Sequence, residues 1–79
     1  MVRIVANPGI LGGKPIVEGT RLSVEHILGL LASGMSNQEI IADYPLLTEE
    51  SIRAVLGYAA KALRNEFFID VVSDRDGDS

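Results

Sequence analysis

The residues most able to do chemistry lie together in Gly12-Gly13-Lys14-Pro15-Ile16-Val17-Glu18-Gly19-Thr20-Arg21, which combines three glycines, a proline and two cations. Glycine admits backbone angles closed to other residues, and proline fixes one angle and removes an amide donor. A glycine-rich turn beside lysine invites comparison with the phosphate loop, Gly-x-x-x-x-Gly-Lys-Ser/Thr. With Gly13-Lys14 in register, the first glycine falls on Pro8 and the magnesium-binding hydroxyl on Pro15. The Pro15 ring also blocks the helix whose amides would hold the phosphates. Nucleotide chemistry is therefore not expected. The segment reads instead as a turn and a short extended piece that close the domain, with Arg21 the residue in it to test for contact with a partner.

Other chemistry finds less support. His26 is the only histidine and there is no cysteine, so neither a cysteine-based zinc site nor an activated thiol is available. Ser23 precedes His26 by three residues and is better placed as a helix cap than as a nucleophile. The carboxylates are scattered over helix ends and the tail rather than paired. We expect no catalysis, no metal and no cofactor.

Seventy-nine residues make one domain near the lower limit for burying a core unaided. With disulfide and metal excluded, oligomerisation is the remaining support, and a 47% hydrophobic composition points the same way, toward a homodimer. No apolar run approaches the roughly 20 residues of a membrane span, and Met1-Val2-Arg3-Ile4 does not open a signal peptide, so a cytoplasmic protein is expected. The formal charge of −4 is unevenly spread. Residues 1–65 hold six cations and six anions, while residues 66–79 hold five anions against Arg75. The body is neutral and the tail acidic, which argues against strong non-specific DNA binding but not against a local basic patch.

The elements that must position these residues follow from pattern. Val2–Ala6 is β-prone and ends at Asn7-Pro8-Gly9, and Pro15-Ile16-Val17 forms a second extended piece. A first helix opens at Ser23, buries Val24, Ile27, Leu28 and Leu31, and stops at Ser33-Gly34. Ser36-Asn37-Gln38-Glu39 is a capping box for a short second helix with Ile40, Ile41 and Tyr44 inward, ended by Pro45. Thr48 caps a third and longest helix whose core stripe is Ile52, Val55, Leu56, Ala59 and Leu63, widened by Tyr58 and Ala62. Gly57 inside it implies close packing on a neighbour. The fold class is mainly α: a three-helix, helix-turn-helix domain over residues 1–65 with a short N-terminal β element, followed by an acidic tail over 66–79.

Five pieces, Gly12-Gly13-Lys14-Pro15, Gly19-Thr20-Arg21, Gly34-x-Ser36, Tyr44-Pro45-x-Leu47-Thr48 and Tyr58-Ala59, stand in an order and spacing that resembles a bacterial family, domain of unknown function 433. The resemblance runs from about Asn7 to Ala60. It implies a homeodomain-like arrangement and the role of a small antitoxin. Members commonly accompany a PIN-like ribonuclease toxin, so the resemblance implies neutralising that toxin and repressing a shared promoter. The family often has proline where Ser23 stands, and serine caps a helix equally well.

Two partners follow as expectations. Operator DNA would meet the third helix through Arg53, Lys61, Arg64 and Ser51, with Arg21 in support, although Glu49 and Glu50 are poor phosphate neighbours. An ordinary solvated helix face carries the same charge pattern. The toxin would meet the apolar tail segment Phe67, Phe68, Ile69, Val71 and Val72, which reads equally as continuation of the core or as a dimer contact. The alternatives are a pure protein-interaction module and a stand-alone transcriptional regulator with no toxin partner.

Overall fold

The computed structural model describes residues 1–66. Two three-residue strands, β1 (Ile4–Ala6) and β2 (Pro15–Val17), pair antiparallel with Ile4 opposite Val17, Val5 opposite Ile16 and Ala6 opposite Pro15. A hairpin this short does not stand alone in water. It is held by burial on both faces: Val17 enters the helical core, while Ile16, adjacent and therefore on the other face, is 2% exposed.

The glycine pair makes the connection between the strands. Leu11, Gly12 and Gly13 have φ of 53°, 66° and 85°, a left-handed turn closed by the Gly13 amide donating to the Ile10 carbonyl. Leu11 lacks the steric freedom of its neighbours, and left-handed backbone costs an L-residue about 1–2 kcal/mol. The shape therefore serves the chain path. It returns the backbone to β2 and sets the Lys14 ammonium 3.0 Å from Glu25 on the first helix.

That helix, α1 (Val24–Ala32), starts as read: the Ser23 hydroxyl accepts from the His26 amide at 2.9 Å. It ends in a Schellman motif. The Gly34 amide donates to Leu31 and the Met35 amide to Leu30, with Gly34 at φ 102°. The second, α2 (Asn37–Asp43), carries both bonds of the Ser36–Glu39 capping box. A tight turn through Pro45, with Leu47 buried, leads into α3 (Glu49–Glu66).

The core is Val17, Val24, Ile27, Ile40, Leu47, Ile52 and Val55, one or two residues from each element but β1, which packs on its edge through Ile4. The third helix departs from expectation. Its stripe is buried only through Val55; Leu56, Tyr58 and Leu63 are 48%, 40% and 54% exposed. The reason is length. At 1.5 Å per residue, 18 residues reach about 27 Å, whereas the nine of α1 reach about 14 Å. The second half of α3 overhangs its neighbours. Gly57 is likewise not a close-packing site, because a Cβ added there would meet nothing within 4 Å.

Candidate functional site

Each face of α3 is positioned by a different part of the fold. Its first turn is fixed by a reciprocal box in which the Ser51 amide donates to the Thr48 hydroxyl at 3.1 Å and the Thr48 amide donates to the Ser51 hydroxyl at 3.0 Å. Ser51 stands where a capping box ordinarily has glutamate or glutamine. This corrects its expected role at a DNA surface. Ser51 is 2% exposed and its hydroxyl is committed to the cap, so it cannot reach a base edge.

The two acidic residues beside it are also tied down. Glu49 accepts from the Asn37 side-chain amide of α2 at 3.0 Å, and Glu50 accepts from the Val2 amide at 3.3 Å. Both carboxylates sit at the positive end of the helix dipole, where negative charge is favourable. They brace the first turn against α2 and the N-terminal arm.

On the outward side, Arg53, Lys61 and Arg64 are exposed at spacings of eight and three residues, and so share one strip of the helix. Arg21 is exposed on a different element. It rides on the turn after β2, closed by the Thr20 hydroxyl, which donates to the Val17 carbonyl at 2.8 Å and accepts from the Leu22 amide at 3.0 Å. The ion pairs among the described residues, Arg3–Glu18 and Lys14–Glu25, use neither Arg21 nor a cation of α3. Lys14, by contrast, is engaged by Glu25.

Arg21 lines a cleft of about 750 Å³ whose apolar lining comes from Ile10, Ile16, Leu22 and Leu46 and which also includes Tyr44 and Pro45. Two pieces of the sequence pattern more than twenty residues apart, Gly19-Thr20-Arg21 and Tyr44-Pro45, thus meet in space. Tyr44 is also met from α1: the His26 Nε2 lies 3.2 Å from the Tyr44 hydroxyl and the rings meet edge to face at 5.8 Å. That contact ties α1 to the end of α2 and needs no ligand to explain it. Among the described residues, no group of three or more His, Cys, Asp or Glu side chains is placed to hold a metal ion. No helix among them is long and apolar enough to cross a membrane.

A second surface was missed in the sequence because its residues read as core. Pro15, Val24, Leu28, Tyr58, Ala59, Ala62 and Leu63 line a groove of about 430 Å³ between α1 and the overhanging half of α3. The signal was present in the expected helix lengths, since a short first helix cannot cover a long third one. The segment Phe67, Phe68, Ile69, Val71 and Val72, expected to bind a partner, lies outside the described residues, as does the rest of the acidic tail beyond Glu66, which ends α3.

Comparison with known proteins agrees with this arrangement. The model of the family described as "Protein of unknown function (DUF433)" matches residues 4–59. The uncharacterized protein y4eO of Sinorhizobium fredii is 38% identical over 56 residues, which are 71% of this chain but 25% of that protein. The chain therefore spans a quarter of the length of this relative. A crystal structure of a DUF433 member from Anabaena variabilis superposes with a TM-score of 0.72 at 30% identity, over 77% of this chain and 60% of that one. With the family pattern matched from the first strand into the third helix, this chain belongs to the DUF433 family.

Proposed function

We propose that this chain is the antitoxin of a type II toxin–antitoxin pair, which binds and neutralises a PIN-like ribonuclease and, as a homodimer, represses its own operon by binding operator DNA. The observation that carries the DNA half is the outward strip Arg53, Lys61 and Arg64 on the third helix of a helix-turn-helix, with no ion pair to it among the described residues. Such a strip lies along a phosphate backbone, while the anchored Glu49 and Glu50 keep the first turn of α3 from acting as the base reader. Affinity on this reading is dominated by phosphate contacts and falls with salt. Arg21, exposed on the turn after β2, adds a contact to a partner rather than to the fold. The toxin half rests on the family pattern and on the apolar segment Phe67–Val72. On this reading the protein acts in the cytoplasm, is not an enzyme and uses no cofactor.

Titration of the upstream DNA fragment at several salt concentrations tests the repressor half. Salt-sensitive, sequence-selective binding is expected, and replacing Arg53, Lys61 and Arg64 together by alanine, which removes six cations from the dimer, lowers the salt slope by up to about 5. Sequence-blind or undetectable binding by the protein and by its toxin complex sinks that half. For the toxin half, a ribonuclease assay with the neighbouring PIN-like protein is expected to show inhibition that is lost on Phe67→Ser with Phe68→Ser.

A second reading, a protein-interaction module that leaves DNA alone, is favoured by one observation: the acidic residues open α3 where a base-reading helix would present donors. Inhibition without any operator binding selects it.

A further inference from the structure

We propose that the groove between α1 and the overhanging half of α3 is the seat of a second copy of this chain, paired about a two-fold axis. This gives a location to the homodimer of the preceding reading and depends on neither toxin nor DNA.

The groove is almost wholly apolar, and its relief is alternating. Its lining sets small side chains, Ala59 and Ala62, beside the large ones of Leu28, Tyr58 and Leu63. A two-fold interface sets residue i of one copy against residue j of the other and the reverse. A surface with both projections and hollows satisfies that condition: Leu63 of each copy sits over the alanines of the other. Leu56, seven residues before Leu63 and on the same side of the helix, extends the apolar surface by two turns.

The rim selects among occupants. Its charged members are Lys14 and Glu25, one of each sign, 3.0 Å apart. A partner carrying a single sign gains nothing from such a rim. A second copy brings the same internally paired charges, so two rims meet with no charge of either copy left uncompensated. The cations Arg53, Lys61 and Arg64 point away from the groove, so pairing here leaves them free. The physical need is also present: the domain is small, contains no cysteine and exposes large apolar side chains on one helix.

Sedimentation equilibrium of the full chain from 5 to 200 µM, without toxin or DNA, tests the proposal. The expected result is a dimer with a midpoint within that range. Ala62→Glu, which places a charge in the groove lining, and Leu63→Gln each weaken it at least tenfold with the helical circular dichroism unchanged. Leu46→Gln, the same chemistry at a still more exposed site in the α2–α3 turn, leaves it intact. Should Ala62→Glu fail to fold, the Leu63→Gln and Leu46→Gln pair carries the test alone. A wild-type chain that stays monomeric at 200 µM overturns the proposal. So does a dimer indifferent to Leu63→Gln, or one broken equally by Leu46→Gln. A monomer whose groove variants abolish toxin inhibition reassigns the groove to the toxin and also overturns it. Loss of operator binding with the dimer intact counts against the repressor reading only.

Discussion

The two halves of α3 share one apolar periodicity and have opposite fates. From Ser51 to Val55 the apolar stripe is sealed, with Ile52 and Val55 fully buried. From Leu56 onward the same periodicity faces solvent, and Leu63 is more than half exposed. Periodicity states which residues share a face; it does not state how far the opposing surface extends. Here that surface is supplied by a nine-residue helix, the short α2 and a hairpin, and it runs out midway. One half of the helix belongs to the core and the other is left exposed among the described residues.

The sharpest way to break this contrast is to truncate a side chain in each half. Ile52→Ala removes atoms from a site with no exposed surface, and buried truncations of this kind cost about 2–5 kcal/mol. Small domains hold a total of the order of 5–15 kcal/mol, so the variant is expected to be largely unfolded by mild urea. The equivalent change at Leu63 is expected to alter stability by less than about 0.5 kcal/mol at concentrations where only monomer is present. Urea unfolding followed by circular dichroism compares them. Equal losses would show that the second half of α3 is packed after all.

Next in size is Ser51→Ala, which sharpens the boundary at the other end of the helix. It leaves the Thr48 amide without its acceptor and opens a box that holds the first turn; caps of this kind contribute about 1 kcal/mol, and burial raises the figure toward 2. Because the hydroxyl is internal, the variant is expected to lose stability while its DNA affinity, measured well below the unfolding transition, stays within twofold of wild type. A selective loss of affinity would restore Ser51 to the DNA surface.

Gly57→Ala distinguishes the halves by the opposite sign. The residue lies just past the sealed half, in a helix interior, with open space where a Cβ would go. Alanine is favoured over glycine there by about 1 kcal/mol. The melting temperature is expected to rise, whereas destabilisation would mean that a neighbour approaches the glycine closely.

Much of this was legible in the chain itself. The caps at Ser23 and Ser36, the stop at Gly34 and both extended pieces were readable because each depends on residues within a few positions of one another. The five sequence pieces carried the family by the same local logic. What stayed hidden depended on distance. Thr48 was visible as a cap, but its partner Ser51 was not, because the usual box uses a longer side chain at that position. The engagement of Lys14 by Glu25, of Glu49 by Asn37 and of Glu50 by Val2 joins residues 11, 12 and 48 positions apart. No local pattern encodes such pairs. Nor did any residue announce that Arg21 and Tyr44 would line one cleft.

The smallest effect is expected at the rim of the groove. Lys14 and Glu25 are ion-paired, but their side chains remain 59% and 76% exposed. An exposed pair gains little Coulomb energy in water, orders two long side chains and is screened by salt, so it contributes between nothing and about 1 kcal/mol. Lys14→Gln is therefore expected to move the urea midpoint of the monomer almost imperceptibly. In the paired chain the same substitution acts differently, because it leaves the Glu25 carboxylate of each copy without its cation at the rim of the interface. The dimer is then expected to weaken several-fold at low salt and to approach wild type near 1 M, where screening extends to within about 3 Å. A variant that weakens the dimer equally at all salt concentrations would assign Lys14 a packing role through its methylene chain, and the neutral two-sign rim would no longer explain why the groove accepts its own kind.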